Sequence, residues 1–370
     1  MVRGIRLAVS ASAAAAAAVL IAVPVAAMAL TGSSGPGSPR PVNSPPSGRT
    51  WSPAAKSGPR SMAKAGRYTA YVAVVGSYSV AKVDVATHTI LADDIGTDTG
   101  EGVAVTPDGK TIYVADTGQY QVLAVDAATK KQTRIFVGAY PSDVAVSPDG
   151  SQVYATVRGG DTGPGGSQTV AVISTADNRV TAQINVGAAP RQVLFAPDGR
   201  HAYVSTAKGV VVIDTATRKV SGRVAGIPTA QSLALAEGRL YITQPDANRV
   251  WVVDVGSVRT LGSFSAGQEP WAVAVTPDGK KVFVADMNSD SVGVYDAASH
   301  KRLADVGVGR LPCSIAVTPD GSEVWVGNDM TGTISVINTA TDRLTFTISG
   351  GKPNQVLDSA PLDIAFGKNF

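Results

Sequence analysis

The sequence predicts an all-β fold: a seven-bladed β-propeller of four-stranded antiparallel blades, closed by a blade shared between N- and C-terminal strands. Three observations predict it. A Pro-Asp-Gly turn returns along the chain at a spacing of 39 to 49 residues. Short apolar runs fill each interval. A run at the extreme C-terminus supplies the strand that the first unit lacks.

The turn strings come first. Thr-Pro-Asp-Gly-Lys stands at 106–110 and again at 276–280, with Ser-Pro-Asp-Gly at 147–150, Ala-Pro-Asp-Gly-Arg at 196–200 and Thr-Pro-Asp-Gly at 318–321. A worn copy, Ala-Glu-Gly-Arg, sits at 236–239. Proline presets φ for the first turn position, aspartate caps the turn, and glycine accepts the left-handed conformation that closes a hairpin.

Each turn is preceded by a β-prone run such as Val103-Ala104-Val105 and followed by Tyr113-Val114-Ala115-Asp116. A loop then leads to Val122-Leu123-Ala124-Val125-Asp126. A turn of the Ala-Ala-Thr-Lys kind (127–130) leads to a fourth run. Four strands of four to six residues are expected per unit. Several are apolar on both faces, as in Val210-Val211-Val212-Ile213. Such a strand belongs to a sheet covered on both sides, which radially stacked blades provide.

The ends complete the count. Residues 68–95 supply three strands with no Pro-Asp-Gly string before them. Pro361-Leu362-Asp363-Ile364-Ala365-Phe366 parallels Pro141-Ser142-Asp143-Val144-Ala145-Val146 and supplies the fourth. Six whole units and one shared unit make seven blades, and sharing removes a free sheet edge.

The repeat resembles the YVTN β-propeller repeat. Its Tyr-Val-x-Asn core appears as Tyr113-Val114-Ala115-Asp116, Phe283-Val284-Ala285-Asp286 and Trp325-Val326-Gly327-Asn328. The resemblance covers about 68–370 and implies a WD40-like disc of surface or envelope type, a family of diverse roles. The general appearance is also similar to that of propeller lactonases. No catalytic motif of theirs carries over residue by residue.

Composition narrows the function. Residues 1–67 hold eight Lys or Arg and no acid, leaving residues 68–370 with 24 basic and 29 acidic side chains. The expected folded part is mildly acidic, so no general nucleic-acid footprint and no nucleic-acid partner are expected. A single cysteine, Cys313, excludes an intramolecular disulfide, a Cys₂ or Cys₄ zinc site and a C-x-x-C-H haem attachment.

Three segments follow. Residues 1–29 read as a signal peptide: Arg3 and Arg6 precede an apolar run from Leu7 to Leu30 with Ala27-Met28-Ala29 as a small-x-small cleavage site. The run is also long enough for an uncleaved membrane anchor, the only membrane contact expected. Residues 30–66 form a disordered Pro/Ser/Gly-rich linker, and residues 67–370 the propeller. The expected location is outside the cell or in the extracytoplasmic envelope, as a monomer.

Candidate site residues lie on the loop face, opposite the Pro-Asp-Gly hairpins. Around the channel mouth the residues before strand one include Glu101, Asp143, Arg191, Gln231, Trp271, Cys313 and Asp363, and the second loops add Asp116, Arg158, Asp286 and Asn328. From this ring we take Trp271, Arg191, Asp143, Asp363, Asp286 and Asn328 as ligand-binding. Trp271 suits stacking, and Arg191 suits an anionic group. Against that stands a plain solvated rim.

No catalytic residue, metal or cofactor is expected. Asp286-Met287-Asn288-Ser289-Asp290 resembles the start of a calcium loop but lacks its Gly and closing Glu, so a capped loop is the simpler reading. The loop at 158–168 is Gly-rich without the Gly-Lys-Ser/Thr of a phosphate loop. His88, His201 and His300 fall in different blades on the far face, which disfavours a metal cluster or a Ser-His-Asp triad. The expected function is an exported binding or interaction scaffold for a protein, a peptide or a polar small molecule. The alternative is a lactonase-like hydrolase with an acidic or metal site at the channel mouth.

Overall fold

The computed structural model describes residues 68–75, 79–159, 168–350 and 361–368, with only the backbone of 92–94. The segments 1–29 and 30–66 and most of the Gly-rich loop lie outside the described residues. Within them, 28 strands form seven four-stranded antiparallel sheets. Blade 1 spans 100–136, blade 2 141–185, blade 3 190–223, blade 4 233–265, blade 5 270–307 and blade 6 312–349. Blade 7 joins 68–96 to 361–368.

Blade 1 shows the pattern. Gly100–Val105, Thr111–Asp116, Gln121–Asp126 and Gln132–Phe136 run antiparallel in order, with Val103 opposite Val114, Tyr113 opposite Ala124 and Leu123 opposite Arg134. The closing strand is where the sequence put it. Pro361–Lys368 pairs with Tyr68–Val74, setting Ile364 opposite Val72 and Ala365 opposite Tyr71.

The turns follow from their residues. In blade 1 the Gly109 N–H donates to the Thr106 carbonyl at 2.7 Å, the Thr106 hydroxyl donates to Asp108, and Gly109 has φ +72°. The worn copy makes a tighter turn. Ala236 pairs with Arg239, so the loop has only two residues, Glu237 and Gly238, at φ +47° and +71°. Both central residues in the left-handed region is the mark of a type I′ hairpin, which needs no proline.

The outer strands depart from the expected length. Arg179–Asn185, Arg259–Ser265 and Arg343–Ser349 each have seven residues. They are largely exposed (Arg259–Ser265 alternates exposed and half-buried), so they lack the continuous apolar run that marks the inner strands.

One aromatic per blade fills the wedge between neighbouring sheets. Tyr71, Tyr113, Tyr154, Tyr203, Tyr241, Phe283 and Trp325 occupy the same place in strand two and are all buried. Tyr154 meets Phe195 of blade 3 edge-on at 4.7 Å, and Trp325 meets Phe366 of the closing strand at 5.6 Å. These large rings carry much of the inter-blade apolar burial.

Candidate functional site

The inner strand of each blade is an edge strand, so alternate backbone N–H groups point into the central channel without a strand to receive them. Side chains of the preceding blade receive several of them. Asp363 Oδ2 accepts from Val103 N–H at 2.8 Å, Asp143 Oδ2 from Val193 at 2.7 Å, Gln192 Oε1 from Leu233 at 2.6 Å, and Ser232 Oγ from Val273 at 3.3 Å. Ser314 completes the seam to the closing strand by donating to the Pro361 carbonyl at 3.0 Å. Asp, Gln and Ser thus do one job, binding blade to blade around the mouth.

The ring position falls to Gly102 in blade 1. A Cβ there would lie 2.7 Å from the Asp143 Cα, so blades 1 and 2 approach closely. Asp363 and Asp143 flank this gap and feel one another. Burial, and then the charge of Asp363, pushes the Asp143 carboxyl well above the usual carboxylate range. Burial pushes Asp363 up to about 6, against N–H bonds from Val103 and Ile364. Beside them Glu101 is raised by burial and ion-paired to Arg158. Blades 7, 1 and 2 therefore form an acidic sector.

Blades 3 to 5 form the opposite sector, and here Arg191 and Trp271 come together. Both line a cavity of about 630 Å³ on the loop face, with Gln231, Asp246, Asn248, Gln268, Glu269 and Asn288. Arg191 Nη1 donates to Gln231 Oε1 and, at 3.4 Å, to the Ala230 carbonyl. Both acceptors are neutral, and among the described residues no carboxylate pairs with this guanidinium. Burial, and then the charge of Arg158, lowers its proton affinity from the usual value, and the charge of Asp246 opposes both. Half-buried Trp271 offers a flat apolar surface beside a cation whose charge no partner neutralises.

The other nominated residues lie elsewhere. Asp286 and Asn328 end the second strands of blades 5 and 6 and are fully buried. Asp286, Asn288 and Asp290 diverge: the first is buried in its blade, the second donates to Glu269, and Asp290 Oδ1 accepts the Leu311 N–H. Among the described residues no group of three or more His, Cys, Asp or Glu is placed to hold a metal. His88 bonds Glu323 and stacks on Phe346, and His300 stacks on Phe264. Burial pushes the Cys313 thiol up to about 12, which makes it a poor nucleophile.

Sequence reasoning missed Asp246, Gln268 and Glu269. Glu269 and Gln268 stand two and three places before Trp271, and Asp246 stands in the loop after the second strand of blade 4. Taking the whole loop before strand one and after strand two, rather than one residue from each, would have found them.

A family model described as "Lactonase, 7-bladed beta-propeller" matches residues 167–356, more than half of the chain. A second, described as "SMP-30/Gluconolactonase/LRE-like region", matches residues 43–208. Among solved structures, hydrazine synthase of Kuenenia stuttgartiensis is similar at a TM-score of 0.63 and 21% identity, covering 72% of this chain and 90% of that chain. A functionally unknown protein from Desulfotomaculum acetoxidans DSM 771 is similar at 0.67 and 13%, covering 82% of this chain and 99% of that one. At these identities the likeness is one of fold. The comparison with curated proteins gives no match.

Proposed function

This chain belongs to the seven-bladed β-propeller lactonase family, and we propose on that footing that its loop-face cavity binds a small, ring-shaped polar molecule carrying an anionic group. The protein would be an exported binding module, with residues 1–29 as its export signal or anchor. One observation carries the reading: a half-buried arginine, Arg191, bonded only to neutral acceptors, stands with Trp271 in one cavity of about 630 Å³. A cation partly desolvated and in direct contact with no carboxylate gains more from a carboxylate or phosphate than a paired surface arginine does. Trp271 supplies a stacking face. Asp246, Glu269, Asn248 and Asn288 supply hydroxyl-binding oxygens and amides around it.

The YVTN-like core at Tyr113, Phe283 and Trp325 supports the scaffold reading, since that family resembles surface and envelope proteins. The test is titration of the purified chain with sugar acids such as glucuronate beside neutral sugars. Preference for the acid, lost in Arg191→Ala, supports the reading. Equal binding of acid and neutral sugar counts against it.

A second reading rests on the acidic sector and on the family. Asp143 and Asp363 flank Gly102 with raised proton affinities, so one of them is positioned to take a proton near neutral pH. In lactone opening, Asp363, the acid of the pair that ionises first, would take the proton of a water whose oxygen adds to the ring carbonyl, and protonated Asp143 would give its proton to the departing ring oxygen. Gluconolactone hydrolysis that exceeds the spontaneous rate and is lost in Asp143→Asn would favour this reading. Both acids already serve the inter-blade seam, which accounts for their placement without catalysis.

A further inference from the structure

The same repeat position carries an aspartate or asparagine in three blades: Asp116 in blade 1, Asp286 in blade 5 and Asn328 in blade 6. In blade 1 the carboxylate is a latch. Asp116 Oδ1 accepts the N–H of Asp98 at 3.1 Å and of Thr99 at 2.9 Å, and Oδ2 accepts the Gln121 amide at 2.9 Å. It thereby holds the loop that enters the blade.

Blade 5 has the same acid without the same bonds. Asp286 is 0% exposed and receives neither the Gln268 nor the Glu269 N–H; the N–H groups of Gly267 and Gly293 lie beside it without completing a hydrogen bond of ordinary geometry. The N–H groups of Gln268 and Glu269, which stand where those of Asp98 and Thr99 stand, go instead to Ser289 Oγ at 3.0 Å and Asn248 Oδ1 at 2.8 Å. Ser291 replaces Gln121, and its buried hydroxyl is also unpartnered.

The surroundings do little for a charge. Arg302 Nη2 lies 3.8 Å from Asp286 Oδ2 but is held by Asp305 at 2.7 Å. The Tyr295 hydroxyl nearby is unpartnered. Blade 4 presents Val250, Phe264 and Ala266, which carry no charge. Burial pushes Asp286 up to about 7, with Arg302 and the N–H groups of Gly267 and Gly293 opposing and the charge of Asp305 adding to the rise.

The loop turns through a left-handed residue before its proline, Glu269 at φ +55°, as Tyr140, Ala189 and Leu311 do before Pro141, Pro190 and Pro312, whereas Thr99 in the latched loop precedes Gly100 and is not left-handed. Gln268 and Glu269 line the cavity with Trp271.

We propose that Asp286 is a proton-controlled latch for the loop 267–269 and so regulates the pocket: protonated, it leaves the loop as seen; ionised, it takes the N–H groups of Gln268 and Glu269 as Asp116 takes those of Asp98 and Thr99. In the ionised state those two side chains leave the pocket wall beside Trp271. The consequence for ligand rests on the pocket reading above, whereas the loop movement does not.

The experiment needs no ligand. The fluorescence of Trp271, taken as the full chain minus its Trp271→Phe variant, is followed from pH 5 to pH 9. The latch predicts one sigmoidal change with a midpoint near pH 7, absent in Asp286→Asn, which keeps every histidine. Asn328 shows that an amide fits this place, so Asp286→Asn is expected to fold. Ser289→Ala removes the rival acceptor and should move the midpoint to lower pH. No change in the wild type, a change that survives Asp286→Asn, or a midpoint unmoved by Ser289→Ala would each overturn the latch. A latch that works in a protein binding no sugar acid would sink only the pocket reading.

Discussion

Arg191 of blade 3 donates to the side-chain oxygen of Gln231 in blade 4, so the cation at the channel mouth is oriented by a neutral amide instead of a carboxylate. The amide fixes the guanidinium without neutralising it. On the pocket reading proposed above, that relationship leaves the cation open to an anion, and it can be altered with little change of shape.

Gln231→Glu supplies the missing counter-charge. The variant should fold with an unchanged Tm and lose affinity for a sugar acid by about tenfold, roughly 1.4 kcal/mol, while neutral sugars are unaffected. Calorimetric titration of both ligands checks this. Unaltered acid binding would mean that Arg191 does not meet the anion.

The seam around the mouth gives a second expectation. Asp143→Ala leaves the Val193 N–H without its acceptor, at a cost of about 1–3 kcal/mol. Asp143→Asn keeps an oxygen there and cannot ionise beside Asp363, so its Tm at pH 7 should equal or exceed that of the wild type. Denaturant unfolding of the two variants side by side distinguishes them.

Two acids, half-buried Asp363 and buried Asp286, shape the pH dependence of stability. Asp363 at about 6 and Asp286 at about 7 both stand above the usual 3.8. The unfolded chain therefore ionises first as pH rises. Each acid withdraws stability between about pH 4 and its folded value, and nothing further above that. Asp286→Asn should melt higher than the wild type at pH 8 by about 2 kcal/mol or more, with the gap closing towards pH 4. The exposed turn acids have the opposite sign. Asp278, drawn down to about 2 by the Thr276 hydroxyl, contributes stability above about pH 4 that is lost as pH falls towards 2.

The closing strand tests the ring. Ile364 is buried against Val72 and Trp325, so Ile364→Ala should cost about 2–5 kcal/mol. Removing 361–370 should lower the Tm much further, because Tyr68–Val74 loses its partner and becomes an open edge. A melting curve unchanged by the truncation would contradict closure by the shared blade.

The fold was legible because its signals repeat. Pro-Asp-Gly strings gave the period, and doubly apolar strands gave the stacked sheets. Pro361-Leu362-Asp363 echoed Pro141-Ser142-Asp143 closely enough to place the closing strand. The outer strands were less legible because Arg259–Ser265 faces solvent and needs no apolar run. Within the site, Trp271 and Arg191 were nominated from their ring positions and line one cavity. Asp286 was nominated as a mouth residue, although it continues the face of Val282 and Val284 and so turns inward, towards blade 4. Its failure to bond as Asp116 does depends on Ser289, Asn248 and Ser291 together, which the repeat pattern does not reveal.

The most direct measurement is the titration of the full chain with glucuronate and with glucose, wild type beside Arg191→Ala and Trp271→Ala, with melting curves for each. The account predicts saturable binding that favours the acid. Arg191→Ala should lose that preference, Trp271→Ala should bind both sugars at least tenfold more weakly, and every Tm should stay within about 2 °C. Affinity that is the same in all three proteins, or a wild type that makes no distinction between acid and neutral sugar, would contradict it.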